Sequence, residues 1–224
     1  MEETIRDLYR EVDNCQDCEL YLLHSRTPRP RPVGNPRSKV MVIGECPGEV
    51  EERLSKVFVG PAGQLLGRML QAIDVDVYED VYLCNVAKCR PASASGSGRQ
   101  NDTPMLEYRQ ICTKKFLSRE MDIIRPKAII ALGKSATIAL TGHPTTVTMR
   151  RLLGLHPPTT DVKLQDRVLW RTPDNSEDLE WIYAIYHPSM FLHTSSDEQK
   201  TIELKRVQWE HLKEIAKLLN QIKG

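Results

Sequence analysis

With 224 residues, of which 40% are hydrophobic and 27% charged, the chain carries enough apolar material for one substantial core, and a single domain spanning residues 1–224 is expected. No apolar run approaches the roughly 18 residues that a membrane span requires, and the charged start Met1-Glu2-Glu3-Thr4-Ile5-Arg6 is unlike a signal peptide, so a cytoplasmic protein is expected. A formal net charge of +1 excludes a globally basic nucleic-acid binder and leaves any such role to local charge.

In chain order, Ile5, Leu8, Tyr9 and Val12 have helical spacing and lead to the pair Cys15 and Cys18. From His24 to Lys39 the cations Arg26, Arg29, Arg31, Arg37 and Lys39 alternate with four prolines and no acid, which reads either as a solvated linker or as a basic patch. Lys39-Val40-Met41-Val42-Ile43-Gly44 is a buried strand stopped by glycine. Three similar runs follow, at Val81–Val86, Lys127–Gly133 and Trp181–Tyr186. Helical patterns occupy Ala62–Ile73, Pro104–Ile124, Ser135–Leu140 and Ile202–Ile222. Strands alternating with helices predict an α/β fold, a central four-stranded parallel sheet flanked by helices. Ligands of such sheets lie at the carboxyl ends of the strands, which draws together the loops after Gly44, Asn85 and Tyr186. Residues 92–98 read as a low-complexity loop, and Pro157–Glu180 as a long polar insertion.

Among the six cysteines, Cys15 and Cys18 form a C-x2-C pair, with Cys89 and Cys112 far downstream; Cys84 falls inside a strand and Cys46 in a loop. A cytosolic setting disfavours disulfides. Thiolate ligation of one metal by Cys15, Cys18, Cys89 and Cys112 fits better. Zinc and an iron-sulfur cluster both accept four thiolates, and spacing leaves the choice open.

The loop Gly44-Glu45-Cys46-Pro47-Gly48-Glu49, the segment Phe58-Val59-Gly60-Pro61-Ala62-Gly63-Gln64-Leu65-Leu66, the strand end Asn85-Val86-Ala87-Lys88-Cys89-Arg90-Pro91 and the late triplet His187-Pro188-Ser189 together resemble the iron-sulfur uracil-DNA glycosylases known as family four. The four motifs occur in that family's order and span nearly the whole chain. The resemblance implies a three-layer sandwich, and a monofunctional enzyme that excises uracil from DNA and leaves an abasic site. It also implies a [4Fe-4S] cluster on Cys15, Cys18, Cys89 and Cys112, and DNA as partner to a monomer.

Such chemistry flips the base out, holds its edge and face, and breaks a glycosidic bond through a cationic sugar. Asn85 carries a donor and an acceptor that match N3–H and O4 of uracil. Phe58 offers a stacking face, and Gly44, Gly48 and Glu49 are expected in the same base pocket. His187 is the expected stabiliser of the departing base and Glu45 the expected carboxylate for water or the sugar cation. Ser189, Met190 and Phe191, with Leu192, form the expected DNA-contacting and intercalating loop, and Lys88, Arg90, Arg150 and Arg151 are expected phosphate contacts.

Two departures stand out. Cys46 occupies the place where the best-known uracil glycosylases carry a catalytic aspartate. Gly48 replaces the tyrosine that excludes a C5 substituent, which raises a modified pyrimidine as an alternative substrate. A non-catalytic DNA-binding relative is the third reading. No histidine lies between Asn85 and Thr103, so the covalent product trapping of a related branch is not expected.

Overall fold

The computed structural model describes residues 4–23, 28–91, 106–156, 161–164, 167–171, 179–192 and 198–223. Helix α1 (Ile5–Asp13) starts on Thr4, whose hydroxyl accepts the Asp7 N–H, and buries Leu8, Tyr9 and Val12. The one-turn α2 (Leu20–Leu23) follows Cys18. Next come β1 (Val33–Gly34), β2 (Val40–Gly44), α3 (Glu49–Leu54), α4 (Pro61–Gln71) and β3 (Tyr82–Asn85). Helix α5 (Leu106–Cys112) runs through a π-helical turn, Thr113–Leu117, into α6 (Ser118–Ile124). Strand β4 (Ala128–Leu132) passes directly into α7 (Gly133–Thr141), followed by α8 (Met149–Leu152) and β5 (Gly154–His156). The pair β6 (Asp161–Leu164) and β7 (Arg167–Arg171) precedes β8 (Trp181–Ile185), a 3-10 turn at Pro188–Phe191 and the closing helix α9 (Glu198–Lys223).

The main sheet has the order β1-β3-β2-β4-β8-β5. Its four inner strands are parallel, as the apolar runs predict, with Gly44 opposite Asn85 and Leu132 opposite Ile185 at their carboxyl ends. Alternate residues of each strand face opposite layers. Met41, Ile43, Tyr82, Ile129 and Ile182 pack with residues of α6 and α7, whereas Val42, Leu83, Ile130 and Tyr183 pack with α4 and α9. The result is helices on both faces of one sheet.

The expected four-stranded sheet is extended by β1 and β5, which pair antiparallel at its two edges. Two and three residues long, they lack the apolar run that marks an inner strand. The segment read as a polar insertion contains the antiparallel β6–β7 pair, a second small sheet; its other residues up to 178, and the loop at 92–98, lie outside the described residues. None of the described helices is long and apolar enough to cross a membrane.

Candidate active site

A cavity of about 830 Å³ opens where the four parallel strands end, lined among others by Glu45, Cys46, Phe58, Asn85, Ser135 and His187. Strand β2 ends at Gly44, where there is no room for a side chain. A Cβ there would lie 2.5 Å from Asn85 Oδ1 and 2.7 Å from Phe58 Cζ. Asn85 and Phe58 therefore meet above Gly44. Phe58 adopts φ 55°, a left-handed conformation costly for a residue with a Cβ. Its carbonyl is backed by Gly63, where a Cβ would come within 1.9 Å of Phe58 O. Glu51 fixes the same loop by accepting the Gly60 N–H at 2.7 Å.

The ladder continues one step past the strands, with Val86 N–H donating to Gly44 O and Ala87 N–H to Glu45 O, both at 2.9 Å. Glu45 is thereby held at the cavity floor, and its carboxylate accepts the Ser135 hydroxyl at 2.6 Å. Neighbouring Cys46 is kept protonated by burial and by the Glu45 carboxylate beside it.

His187 follows β8 and starts the 3-10 turn. Its Nδ1 accepts the Ser189 N–H at 3.2 Å and lies 2.8 Å from the Ser189 hydroxyl. A backbone N–H can only donate, so Nδ1 is bare and Nε2 carries the ring hydrogen. Burial pushes the His187 pKa down to about 4, so the ring is neutral at pH 7. Gly133, at φ +80°, lets the imidazole pack close: a Cβ there would stand 3.0 Å from His187 Cβ.

Gly48, Glu49, Ser189 and Leu192 also line the cavity, with Glu49 exposed at the start of α3. Met190 is 44% and Leu192 38% exposed, whereas Phe191 packs edge-on against Tyr186, ring centroids 6.3 Å apart. Phe191 is thus partly covered by the protein's own packing. Arg150 and Arg151 project from α8 into solvent.

One expected phosphate contact is corrected, and a second is partly engaged within the protein. Lys88 is buried and ion-paired to the equally buried Glu120, so it does not reach a phosphate. Arg90 Nη1 donates to Glu52 at 3.0 Å with both side chains mostly covered, which commits that part of the guanidinium inside the protein. The basic proline segment is also partly internal: Arg29 is buried and Arg31 is paired to Asp13 at 2.5 Å, leaving Arg37 and Lys39 exposed.

Cys15, Cys18, Cys89 and Cys112 are free thiols gathered where α1, α2, the β3 loop and α5 meet. Each of Cys89 and Cys112 feels the negative charge that Cys15 and Cys18 would carry, and burial pushes their pKa values up to about 12 and about 11. Arg29 acts against that rise at Cys89 and Cys18, and Lys88 at Cys112. Among the described residues, no three His, Cys, Asp or Glu side chains close around a point for a single ion.

Three cavity residues escaped the sequence reading. Ser135 and Lys134 begin α7 directly after β4, and a polar pair after a strand-ending glycine was the available signal. Arg109 reaches the cavity from α5, with a buried Nε that has no hydrogen-bond partner among the described residues; nothing local to its helix marks it.

A family model described as Uracil DNA glycosylase superfamily matches residues 31–213. The type-4 uracil-DNA glycosylase of Archaeoglobus fulgidus is 37% identical over 134 residues, 60% of this chain and 62% of its own length. The protein of the same name from Thermotoga maritima is 30% identical over 213 residues, 92% of this chain and 93% of its own. That of Sulfurisphaera tokodaii is 34% identical over 135 residues, 60% of this chain and 57% of its own. Against the two archaeal relatives the chain thus spans about three fifths of their length. The chain belongs to the uracil DNA glycosylase superfamily, and its end-to-end similarity to the Thermotoga protein puts it in the type-4 branch.

Proposed function

We propose that this protein is a monofunctional DNA glycosylase that takes uracil out of the DNA stack and hydrolyses its N-glycosidic bond, leaving an abasic site. The observation that carries this reading is the convergence of Phe58, Asn85, Glu45 and His187 on one cavity at the ends of four parallel strands. The names of the type-4 relatives support uracil as the base.

In this mechanism Asn85 donates to O4 and accepts from N3–H of the flipped base, while Phe58 stacks on its face. As the C1′–N1 bond breaks, its electron pair moves into the base. The neutral His187 ring donates Nε2–H toward O2, where negative charge collects, and does so without first losing a proton. Glu45, oriented by Ser135, stabilises the cationic sugar and positions the water that attacks C1′; the proton that water releases goes to solvent, from which the departing uracil anion is protonated. Cys46, a protonated thiol, cannot replace the carboxylate that other branches carry at this place. Arg150 and Arg151 hold phosphates, and Met190 and Leu192 fill the space the base leaves.

The four gathered thiols suit a [4Fe-4S] cluster: the donors are soft, no two are joined in a disulfide, and cationic neighbours offset the charge of thiolate ligation. Cys15, Cys18, Cys89 and Cys112 would hold it. When bound, it supplies a structural brace and no electron transfer in turnover. Zinc on the same thiolates is the competing assignment, and a colourless protein with stoichiometric zinc would establish it.

The reaction is tested by incubating the protein with a uracil-containing oligonucleotide, then with alkali, beside oligonucleotides carrying thymine and hydroxymethylated or glycosylated pyrimidines. Strand breakage at uracil is expected, with a loss of at least about a hundredfold in Asn85→Ala and His187→Ala. No breakage at uracil in any buffer overturns the proposal. Full turnover in both variants overturns the residue assignment.

A further inference from the structure

Two opposite charges are buried beside the base-reading strand, and neither lines the cavity. Lys88 is 3% and Glu120 0% exposed. Burying an ion pair is costly, and well-packed apolar residues of similar volume often give an equally stable core, so such a pair is weak evidence for a stability role. The connections of this one are specific. Glu120 Oε1 accepts the Tyr9 hydroxyl at 3.0 Å and the Tyr82 hydroxyl at 2.7 Å, while Oε2 takes the Lys88 ammonium. A second Lys88 Nζ–H goes to the main-chain carbonyl of Asn85 at 2.6 Å.

Asn85 is the last residue of β3; just beyond it the Val86 and Ala87 N–H groups still bond to Gly44 O and Glu45 O, while the Asn85 carbonyl takes the Lys88 ammonium. Lys88 captures the carbonyl at that point, and Glu120, itself held by the hydroxyls of Tyr9 in α1 and Tyr82 in β3, takes the Lys88 ammonium directly. We propose that the Lys88–Glu120 pair is a positioning device for Asn85: it fixes the main chain beneath the amide and so sets the edge that meets the base, without touching the base. The activity readout below rests on the proposed uracil reaction; the structural readout does not.

The test is the double variant Lys88→Met with Glu120→Gln, which removes both charges while leaving an amide oxygen for the two tyrosine hydroxyls. A melting temperature close to wild type is expected, together with a loss of at least about tenfold in kcat/KM on uracil-containing DNA. In an Asn85→Ala background the same two changes should cost less than about twofold, because a residue acting through Asn85 has nothing left to position. A crystal structure of the double variant should show the Asn85 carbonyl displaced. Wild-type activity with Asn85 in place overturns the inference, and so do losses that simply multiply with that of Asn85→Ala. Should the double variant not fold, Tyr9→Phe with Tyr82→Phe frees Glu120 more gently; a smaller loss with the same dependence on Asn85 is expected, and no loss overturns the inference. A wild-type protein that releases no uracil sinks the proposed reaction, while the crystallographic comparison still decides this one.

Discussion

Gly44 and Asn85 face each other in the β2–β3 ladder, and the space that a Cβ on Gly44 would need is occupied by the Asn85 amide oxygen and the edge of the Phe58 ring. Both neighbours are cavity residues, so one added methyl displaces two candidate base contacts at once. Gly44→Ala is expected to lower kcat/KM on uracil-containing DNA by roughly a hundredfold, the scale of loss that a displacement of about 1 Å produces. Its stability cost should be about 1–3 kcal/mol, as for overpacking elsewhere. Steady-state kinetics and thermal melting check the two parts. An unaffected rate would mean that neither neighbour reads the base.

His187 should govern an acid-side loss of stability. Its folded pKa is about 4 against an ordinary 6.5, because burial disfavours the imidazolium. Between those values the unfolded chain binds a proton that the folded chain does not, so stability present above pH 6.5 is lost progressively as pH falls toward 4. The full contribution is about 3 kcal/mol. His187→Gln should flatten this component of the pH dependence in denaturant titrations between pH 7 and 4. An identical slope in both proteins would assign the loss to other groups.

Ser135 lines the cavity and donates its hydroxyl to Glu45. Ser135→Ala is expected to reduce kcat by about tenfold, corresponding to roughly 1.4 kcal/mol, with KM little changed. Melting temperature should shift by no more than a few degrees. A change confined to KM would place Glu45 in substrate binding instead of in the chemical step.

The apolar loop after His187 separates two roles that adjacency in sequence conceals. Met190 and Leu192 are exposed, while Phe191 rests on Tyr186. Met190→Ala with Leu192→Ala should weaken activity on duplex DNA more than on single strands, since only the duplex has a stack to fill. Phe191→Ala should instead lower the melting temperature, with a similar effect on both substrates. Parallel assays on the two strand forms distinguish these outcomes.

The inner sheet was legible because each of its strands is a local apolar run ended by a turn or polar residue, as at Val40–Gly44 and Ala128–Leu132. The loops bearing Glu45, Asn85 and His187 could be assembled from chain order alone, since parallel strands alternating with helices bring their carboxyl ends to one side. The edge strands β1 and β5 could not, because two or three residues carry no period and are defined by the partner they pair with.

Charge was the property that sequence represented worst. Lys88 and Arg90 stand beside a strand end in a basic-looking motif, yet their acids, Glu120 and Glu52, come from α6 and α3. Which cation faces solvent is a long-range outcome: the same lysine is a surface group or a buried tie depending on whether a distant carboxylate is brought within reach. By itself the sequence determined the parallel sheet, the order of its site loops and the family they belong to. Only the tertiary structure decided that Lys88 is turned inward, that Ser135 holds Glu45, and that Gly44 is the gap into which Asn85 and Phe58 fit, because each depends on atoms that chain order leaves apart and packing brings together.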